Sequence, residues 1–417
     1  MPDPLQPRSV TSNLTLRATT AARALAIGFV LIVATAGAAH AQTYQVLYTF
    51  TGGTDGAQPY AGLSIRQGIL YGTAHSGHEG TNWGNVFTLQ HKGTGWLYSP
   101  IQIFDGTLSS RAVFGPNGTL YGTSPNNLAG YFYGYIYNLS PPLAAVCQAF
   151  LCPWNASVLY AFSGGSDGGS PRFGDLVFDQ AGDMYGTTYI GGNGQGVVYE
   201  LMRSGSGWTE QPIYAFSGPD GANPANGVIF DSVGNLYGTT ALGGANGAGT
   251  VFELSPVGNG WTEKVLYSFQ GSSDGGNPMS GLFLDGAGNI YGATSNGGSG
   301  GGGTVFELTP SGGNWTYNLL NSFSGNSNCG PVAGVNMDSG GNLYGTTLCD
   351  GANNDGNIFK LTRSGGGFTY SSLHDFTGGN DGKNPYSVVV FDSAGDLFGT
   401  AAHGGANLSG VVWEITP

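Results

Sequence analysis

The sequence predicts an all-β fold, a seven-bladed β-propeller of four-stranded blades. Three observations predict it: a turn-rich composition, a triplet that recurs seven times, and two chain ends that complete each other. The 417 residues include 77 glycines and 20 prolines, yet 40% are apolar and 12% are aromatic. A chain this apolar has a core to bury, and this many glycines and prolines predict frequent turns, so disorder is excluded.

The charge balance excludes two classes of partner. Charged residues make up 9% of the chain, against about 25% in an average soluble domain, and the net charge is −13. An acidic chain repels phosphate backbones and anionic lipid surfaces. We therefore expect no nucleic acid and no anionic membrane among its partners.

The N-terminal residues have the composition of a signal peptide. Three arginines precede an uncharged stretch at 24–39, which ends in the small-x-small sequence Ala39-His40-Ala41. We expect residues 1–41 to be removed, leaving residues 42–417 as a monomeric propeller domain with no membrane insertion. The mature protein is then secreted, extracellular or periplasmic. An uncleaved anchor helix is the alternative.

Four cysteines are consistent with an oxidising compartment. Cys147 and Cys152 lie close together in one insertion, whereas Cys329 and Cys349 bracket a single hairpin. Four cysteines allow three pairings. We predict the two local disulfides, Cys147–Cys152 and Cys329–Cys349.

The triplet Tyr-Gly-Thr, or a close variant of it, marks the repeat unit. Its seven copies begin at Tyr71, Tyr121, Tyr185, Tyr237, Tyr291, Tyr344 and Phe398. Each copy follows a turn that closes a hairpin, as between Val228–Asp231 and Leu236–Thr240. An aspartate precedes the turn in several units, where its side chain is expected to accept hydrogen bonds from turn amides.

Two further strands complete each unit, which we label A, B, C and D in chain order. Strand C follows a glycine-rich loop, as at Gly249–Leu254, and strand D follows a short turn, as at Trp261–Phe269. The array begins with a lone D strand at Tyr44–Phe50 and ends with a C strand at Gly410–Ile415. If the N-terminal D strand pairs with the C-terminal A–C strands, the ring closes and no open edge remains.

The order of these motifs resembles the GloVer tandem repeat of exported bacterial proteins. Gly-Asn-Leu-Tyr-Gly-Thr-Thr, Gly-Thr-Val-Phe-Glu-Leu and Trp-Thr-Glu follow one another within the unit, and the units cover residues 44–417. The resemblance implies export and a repeat array. It supplies no catalytic residues.

The D–A loops repeat an Asp-Gly pair on the face where the B–C loops also emerge. The pairs begin at Asp55, Asp105, Asp167, Asp220, Asp274 and Asp381, and blade 6 has Cys329 instead. A ring of carboxylates can bind cations or hydroxyls. An aspartate that stabilises its own loop, followed by a glycine at positive φ, is the other explanation, and recurrence in nearly every blade favours it.

Residues that do not repeat are better candidates for a site. His75 and His78 lie in the B–C loop of blade 1 and His403 in that of blade 7, which ring closure makes neighbours. With Asp55 and Asp381 they can hold a divalent metal or supply a general base. This cluster is the candidate catalytic and metal site, although no cofactor is required by the sequence.

Aromatic residues in the B–C loops form the candidate ligand-binding surface. They are Trp83, Tyr131, Phe132, Tyr133 and Tyr189. Such rings stack on sugars, or they cover blade edges. The leading hypothesis is a secreted module that binds a polysaccharide or a surface protein without catalysis. A metal-assisted lyase or hydrolase at the histidine cluster is the alternative, and a purely structural role is a third.

Overall fold

The computed structural model describes residues 42–77, 83–126, 130–142, 154–205 and 207–417. Within these ranges the chain forms 28 strands in seven four-stranded antiparallel sheets and no helix. No helix in the described ranges is therefore long and apolar enough to cross a membrane. The fold is the seven-bladed β-propeller that the sequence predicts.

The strands are numbered in chain order. The array begins with β1 (Thr43–Thr49), and blade 1 consists of β2 (Ser64–Arg66), β3 (Ile69–Ala74), β4 (Asn85–Lys92) and β5 (Gly95–Ile103). Blades 2 and 3 consist of β6 (Val113–Phe114), β7 (Leu120–Ser124), β8 (Tyr135–Ser140), β9 (Asn155–Ala161), β10 (Val177–Phe178), β11 (Met184–Thr188), β12 (Val197–Ser204) and β13 (Gly207–Ala215). Blades 4 and 5 consist of β14 (Ile229–Phe230), β15 (Leu236–Thr240), β16 (Thr250–Val257), β17 (Gly260–Ser268), β18 (Phe283–Leu284), β19 (Ile290–Thr294), β20 (Thr304–Ser311) and β21 (Asn314–Ser322). Blades 6 and 7 consist of β22 (Val335–Met337), β23 (Leu343–Thr347), β24 (Asn357–Ser364), β25 (Gly367–Asp375), β26 (Val390–Phe391), β27 (Leu397–Ala401), β28 (Val411–Thr416) and β1.

The first and last strands close the ring. β1 pairs antiparallel with β28, so that Tyr44 lies opposite Ile415 and Thr49 opposite Val411. The sheet order β1-β28-β27-β26 shows that the N-terminal strand is the outer strand of blade 7. The predicted closure is confirmed. Residues 1–41 lie outside the described residues, so the signal peptide stays a prediction.

The glycine of the triplet gives space to a buried ring. In each blade it lies opposite an aromatic residue of strand C. The pairs are Gly72–Phe87, Gly122–Tyr137, Gly186–Tyr199, Gly238–Phe252, Gly292–Phe306, Gly345–Phe359 and Gly399–Trp413. A Cβ on any of these glycines would lie only 2.3 to 2.6 Å from that aromatic side chain. Glycine is therefore required by close approach, because interiors are packed without spare volume.

The tyrosine and threonine of the triplet join neighbouring blades. In four blades the tyrosine ring packs edge-on against a phenylalanine of strand A in the next blade, with the ring centroids of Tyr71 and Phe114 4.8 Å apart and those of Tyr185 and Phe230 5.1 Å apart. The threonine hydroxyl of Thr239 donates to the Ser280 carbonyl at 3.0 Å. The buried clusters accordingly lie between the blades.

The inner strands are shorter than the sequence predicts. The pattern predicts strand A of blade 4 over residues 228–231, whereas β14 comprises only Ile229 and Phe230. Asp231 already belongs to the turn, because its carboxylate accepts hydrogen bonds from the amides of Val233 and Asn235, both at 2.9 Å. The predicted role of the pre-turn aspartates is confirmed at this position.

One predicted disulfide lies within the described residues. Cys329 and Cys349 are bonded, with their Cα atoms 4.6 Å apart, and the Cys349 amide also donates to the Cys329 carbonyl. The bond joins the D–A loop of blade 6 to its B–C loop. Cys147 and Cys152 lie outside the described residues.

Replacing Tyr199 with phenylalanine is expected to stabilise the protein. The Tyr199 hydroxyl is buried and has no hydrogen-bond partner in the described part of the chain. Removing such a group relieves a penalty of about 1–3 kcal/mol. Denaturant unfolding of Tyr199→Phe checks this. In the control, Tyr214→Phe, the lost hydroxyl donates to Asp220 at 2.6 Å, so stability should fall instead. A less stable Tyr199→Phe would contradict the prediction.

Removing residues 1–49 removes strand β1. The melting temperature is expected to fall by roughly 5–10 °C, because the buried contacts of the apolar side chains of β1 are lost. The truncation also leaves β28 as an open edge, which promotes aggregation. Thermal unfolding and light scattering measure both effects. A synthetic peptide of residues 43–50 should restore stability to the truncated protein, and an unchanged melting temperature without the peptide would speak against ring closure.

Candidate functional site

The D–A and B–C loops form one surface, here called the loop face. Short backbone bridges join the two loops of one blade, as between Ala57 and Ser76 in blade 1 and between Lys383 and His403 in blade 7. Loops on a rigid scaffold are where binding groups are usually held. The loop face is therefore the first place to look for a site.

Five of the six aspartates of the Asp-Gly pairs accept hydrogen bonds from their own loops, namely Asp55, Asp167, Asp220, Asp274 and Asp381, whereas Asp105 is exposed. The Asp55 carboxylate accepts hydrogen bonds from the Thr51 amide at 2.8 Å and from the Tyr48 hydroxyl at 2.9 Å. Asp381 accepts in the same way from the Thr377 amide and from His374. Gly56 then adopts a φ of 92°, which favours glycine. These carboxylates have the loop-stabilising contacts that recurrence favours, rather than forming an open ring of ligands.

Two glutamates occupy strand-D positions at which four of the other five blades have tyrosine and blade 2 has alanine. Tyr98 lies opposite Leu89, and its hydroxyl donates to the Asp55 carbonyl at 2.9 Å. Tyr317 and Tyr44 donate in the same way to Asp274 and Asp381.

Glu210 takes this position in blade 3 and Glu263 takes it in blade 4. One carboxyl oxygen of each is buried without a hydrogen-bond partner in the described residues. Burial, followed by the nearby Asp167 carboxylate, raises the pKa of Glu210 to about 8. Burial and Asp220 raise the pKa of Glu263 to about 7. A protonated carboxyl group can donate where tyrosine does.

Ring closure brings two of the predicted histidines together around Tyr60. The His75 ring centroid lies 4.9 Å from that of Tyr60, and the His403 centroid lies 6.2 Å from it, both edge-on. His75 Nδ1 lies 3.1 Å from the Leu108 carbonyl, to which it must donate. Burial lowers the pKa of both histidines, and Lys383 lowers that of His403 further, so both are neutral at pH 7.

The histidines do not converge with Asp55 and Asp381 into a three-ligand cluster within the described residues. His78 lies outside those residues.

Sequence reasoning missed a different acidic group, Asp179, Asp183 and Glu200, whose oxygens lie within 4.8 Å of one another in blade 3. Each of its members already accepts a hydrogen bond: from the Asp183 amide, the Arg203 amide and the Tyr185 hydroxyl, respectively.

Four of the five predicted aromatic residues are exposed on the loop face. The exposed fraction is 75% for Phe132, 45% for Tyr133, and 38% for both Tyr131 and Trp83. Tyr133 is anchored, because its carbonyl accepts from the Ser170 amide and its ring covers Gly164. Phe132 thus stands out on a fixed backbone.

Tyr189 is placed differently. The Arg172 guanidinium lies over its ring, 4.4 Å from the centroid, and the side chain is half-buried. This cation–π contact occupies one face of the ring. Tyr189 therefore contributes less stacking surface than the sequence predicts.

A cavity in the central channel was not predicted from the sequence. It measures about 430 Å³, and residues before and within the A strands of all seven blades line it. Its lining residues occupy corresponding positions of the repeat but differ in identity, as Tyr60, Ser109 and Phe173 do. This variation in residue identity at corresponding positions of the repeat is the sequence feature that could have indicated the cavity.

Two overlapping segments, residues 151–316 and 259–417, match the Gloeobacter/Verrucomicrobia repeat. A comparison with curated proteins finds no match. Sqt1 from Chaetomium thermophilum is similar in structure at 13% identity and a TM-score of 0.52, over 90% of this chain and 89% of that one.

PorZ, a surface component of the type-IX secretion system of Porphyromonas gingivalis, is similar at 15% identity and a TM-score of 0.50. The match covers 88% of this chain but 47% of PorZ, so the chain spans about half of that protein. A putative 6-phosphogluconolactonase from Bacteroides uniformis matches at 14% identity and a TM-score of 0.47, over 76% and 84% of the two chains. The likenesses to Sqt1 and PorZ show the fold alone.

Stability is expected to fall as the pH rises from about 7 to about 9, above the range in which the buried histidines, whose pKa values are lowered, would have the opposite effect. A carboxyl group with a raised pKa in the folded state stabilises fully below its unfolded pKa, and this contribution is lost as the pH passes its folded pKa. Those folded pKa values are about 8 for Glu210 and about 7 for Glu263. Melting temperatures across this range measure the effect.

The variant Glu210→Tyr/Glu263→Tyr should flatten the pH dependence, since tyrosine donates from the same position without titrating there. Glu210→Gln is the isosteric control, and it should remove only the part of the pH dependence that comes from Glu210. A wild-type melting temperature that is constant, or that rises, between these pH values would refute the assignment.

Proposed function

The chain belongs to the Gloeobacter/Verrucomicrobia repeat family, and from this premise we propose that it is an exported propeller that binds a neutral polysaccharide on its loop face. The Cys329–Cys349 disulfide supports an oxidising, extracytoplasmic location. Residues 1–41 have the composition of the leader that export requires.

The exposed run Tyr131-Phe132-Tyr133 carries the proposal. Phe132 is the most exposed aromatic residue of the described chain, and the carbonyls of Tyr131 and Tyr133 on either side accept hydrogen bonds from the Gly134 and Ser170 amides. Trp83 comes from the adjacent blade and is exposed on the same face. Rings that are presented on a rigid frame lose little entropy on stacking, and sugar rings offer the apolar C–H faces on which they stack.

The charge of the protein narrows the class of polysaccharide. The net charge of −13 disfavours uronate-rich or sulfated chains through like-charge repulsion. His75 and His403 add little positive charge at neutral pH, because burial lowers their pKa. A neutral glucan, mannan or galactan suits this surface better than an acidic polymer.

Truncating a stacking ring is expected to weaken binding. Phe132→Ala and Trp83→Ala should each cost about 1 kcal/mol, roughly a fivefold loss of affinity. Affinity electrophoresis against a panel of neutral and acidic polysaccharides identifies the ligand, and calorimetry measures the loss. Phe132→Tyr preserves the ring and should retain affinity.

The matched control is Val233→Ala, because Val233 is 78% exposed on an A–B turn at the opposite face. It should bind like the wild type. Failure of every neutral polysaccharide to bind, or full affinity in Phe132→Ala, would exclude the proposal. Binding is expected to persist in EDTA. If the protein instead cleaves a polysaccharide, needs a divalent cation to do so and loses this activity in His403→Ala, then a metal-assisted lyase or hydrolase would replace the binding module as the proposed function.

A further inference from the structure

The central cavity is large enough to hold a small molecule. Its volume of about 430 Å³ falls within the range of about 300–1,000 Å³ that is typical of ligand pockets. Most of its walls are apolar, including Leu176, Val228, Leu282, Val335 and Val388. Water is held poorly against such walls, because each water molecule needs two or more polar partners.

The charges in the cavity cancel. Arg111 and Asp175 are the only charged residues among the described residues that line it, and they form an ion pair with Nη2 2.5 Å from Oδ2. The guanidinium is incompletely satisfied, since Nη1 lies 3.5 Å from the Leu63 carbonyl and Nε has no partner in the described residues. A charged ligand would unbalance this pair inside an apolar space, which is costly.

Three hydroxyl groups also line the cavity, those of Ser109, Tyr60 and Tyr386. Ser109 is only 3% exposed, and its hydroxyl has no hydrogen-bond partner within the described chain. Tyr60 and Tyr386 meet edge-to-face at 4.8 Å. Burial raises the pKa of both phenols, so they stay protonated and can donate.

We propose that this cavity is a binding site for an uncharged molecule with an apolar ring body and a hydroxyl or carbonyl group. The body displaces weakly held water and packs against the aliphatic walls. The polar group takes a hydrogen bond from Ser109, Tyr60 or Tyr386. The site is separate from the aromatic surface of the loop face and does not depend on polysaccharide binding there.

Fluorescence titration of the full chain with N-phenyl-1-naphthylamine, a neutral ring compound, tests the site. Saturable binding with one site per chain is expected, and cyclohexanol should compete. The anionic probe 1-anilinonaphthalene-8-sulfonate should bind at least about tenfold more weakly, a difference of about 1.4 kcal/mol. No saturable binding of the neutral probe, or tighter binding of the anionic one, overturns the proposal.

Variants then locate the bound probe. Val332→Trp places an indole in the cavity and should weaken binding by about tenfold or more. Met279→Trp fills the cavity from another blade and replaces Val332→Trp as the test variant if Val332→Trp fails to fold. Val257→Trp, at the end of β16 where Val257 is 61% exposed, is the control and should bind like the wild type.

A charge variant tests the electrostatic part of the argument. Asp175→Asn leaves the Arg111 guanidinium without its counter-charge, so the anionic probe should gain about tenfold in affinity while the neutral probe changes little. Unchanged affinity for the neutral probe in both folded tryptophan variants would overturn the proposal, as would an anionic probe that is indifferent to Asp175→Asn.

Discussion

The contact between the triplet glycine and the aromatic residue opposite it on strand C is the constraint on which every blade depends. The ring lies so close to the B strand that no Cβ fits, as at Gly72 against Phe87 and at Gly399 against Trp413. This contact fixes the B–C register, because a shift by one residue would turn the ring to the other side of the sheet. The adjacent tyrosine and threonine are then presented to the next blade, which explains why the three residues recur together.

The same interactions explain why the ring closes. A blade covers its apolar side only by packing on a neighbour, as Tyr71 does on Phe114, so an open array would leave one exposed surface at each end. β1 removes the last edge by pairing with β28, and the buried Phe50 that follows it packs on Phe87 of blade 1. The N-terminal strand therefore belongs to blade 7, and the residue that follows it also packs against blade 1.

Repetition decided how much could be predicted from the sequence. The seven blades, the ring closure and the turn role of residues such as Asp231 follow from recurring motifs, because structural contacts recur with them. The Cys329–Cys349 disulfide occurs once, and it could be predicted because the two cysteines bracket a single hairpin of the repeat. Strand A of blade 4 was predicted over residues 228–231, because the pattern that gives Asp231 its turn role does not show at which residue the strand ladder ends. The cation–π contact of Arg172 with Tyr189 within blade 3 and the packing of His75 and His403 on Tyr60 depend on unrepeated side chains, which no recurring motif indicates.

Burial makes the axis of the propeller neutral although the chain as a whole is acidic. His75 and His403 are held uncharged by the packing that positions Tyr60, and Arg111 compensates Asp175 inside the channel. Many of the acidic groups lie elsewhere, in loops such as that of Asp55 and in turns such as that of Asp231, where backbone amides satisfy them. An anionic molecule that approaches the ring meets the repulsion of the whole chain, and inside the channel it finds no free positive charge to offset that repulsion. A neutral ligand meets neither penalty, so uncharged chemistry suits both the aromatic surface of the loop face and the cavity below it.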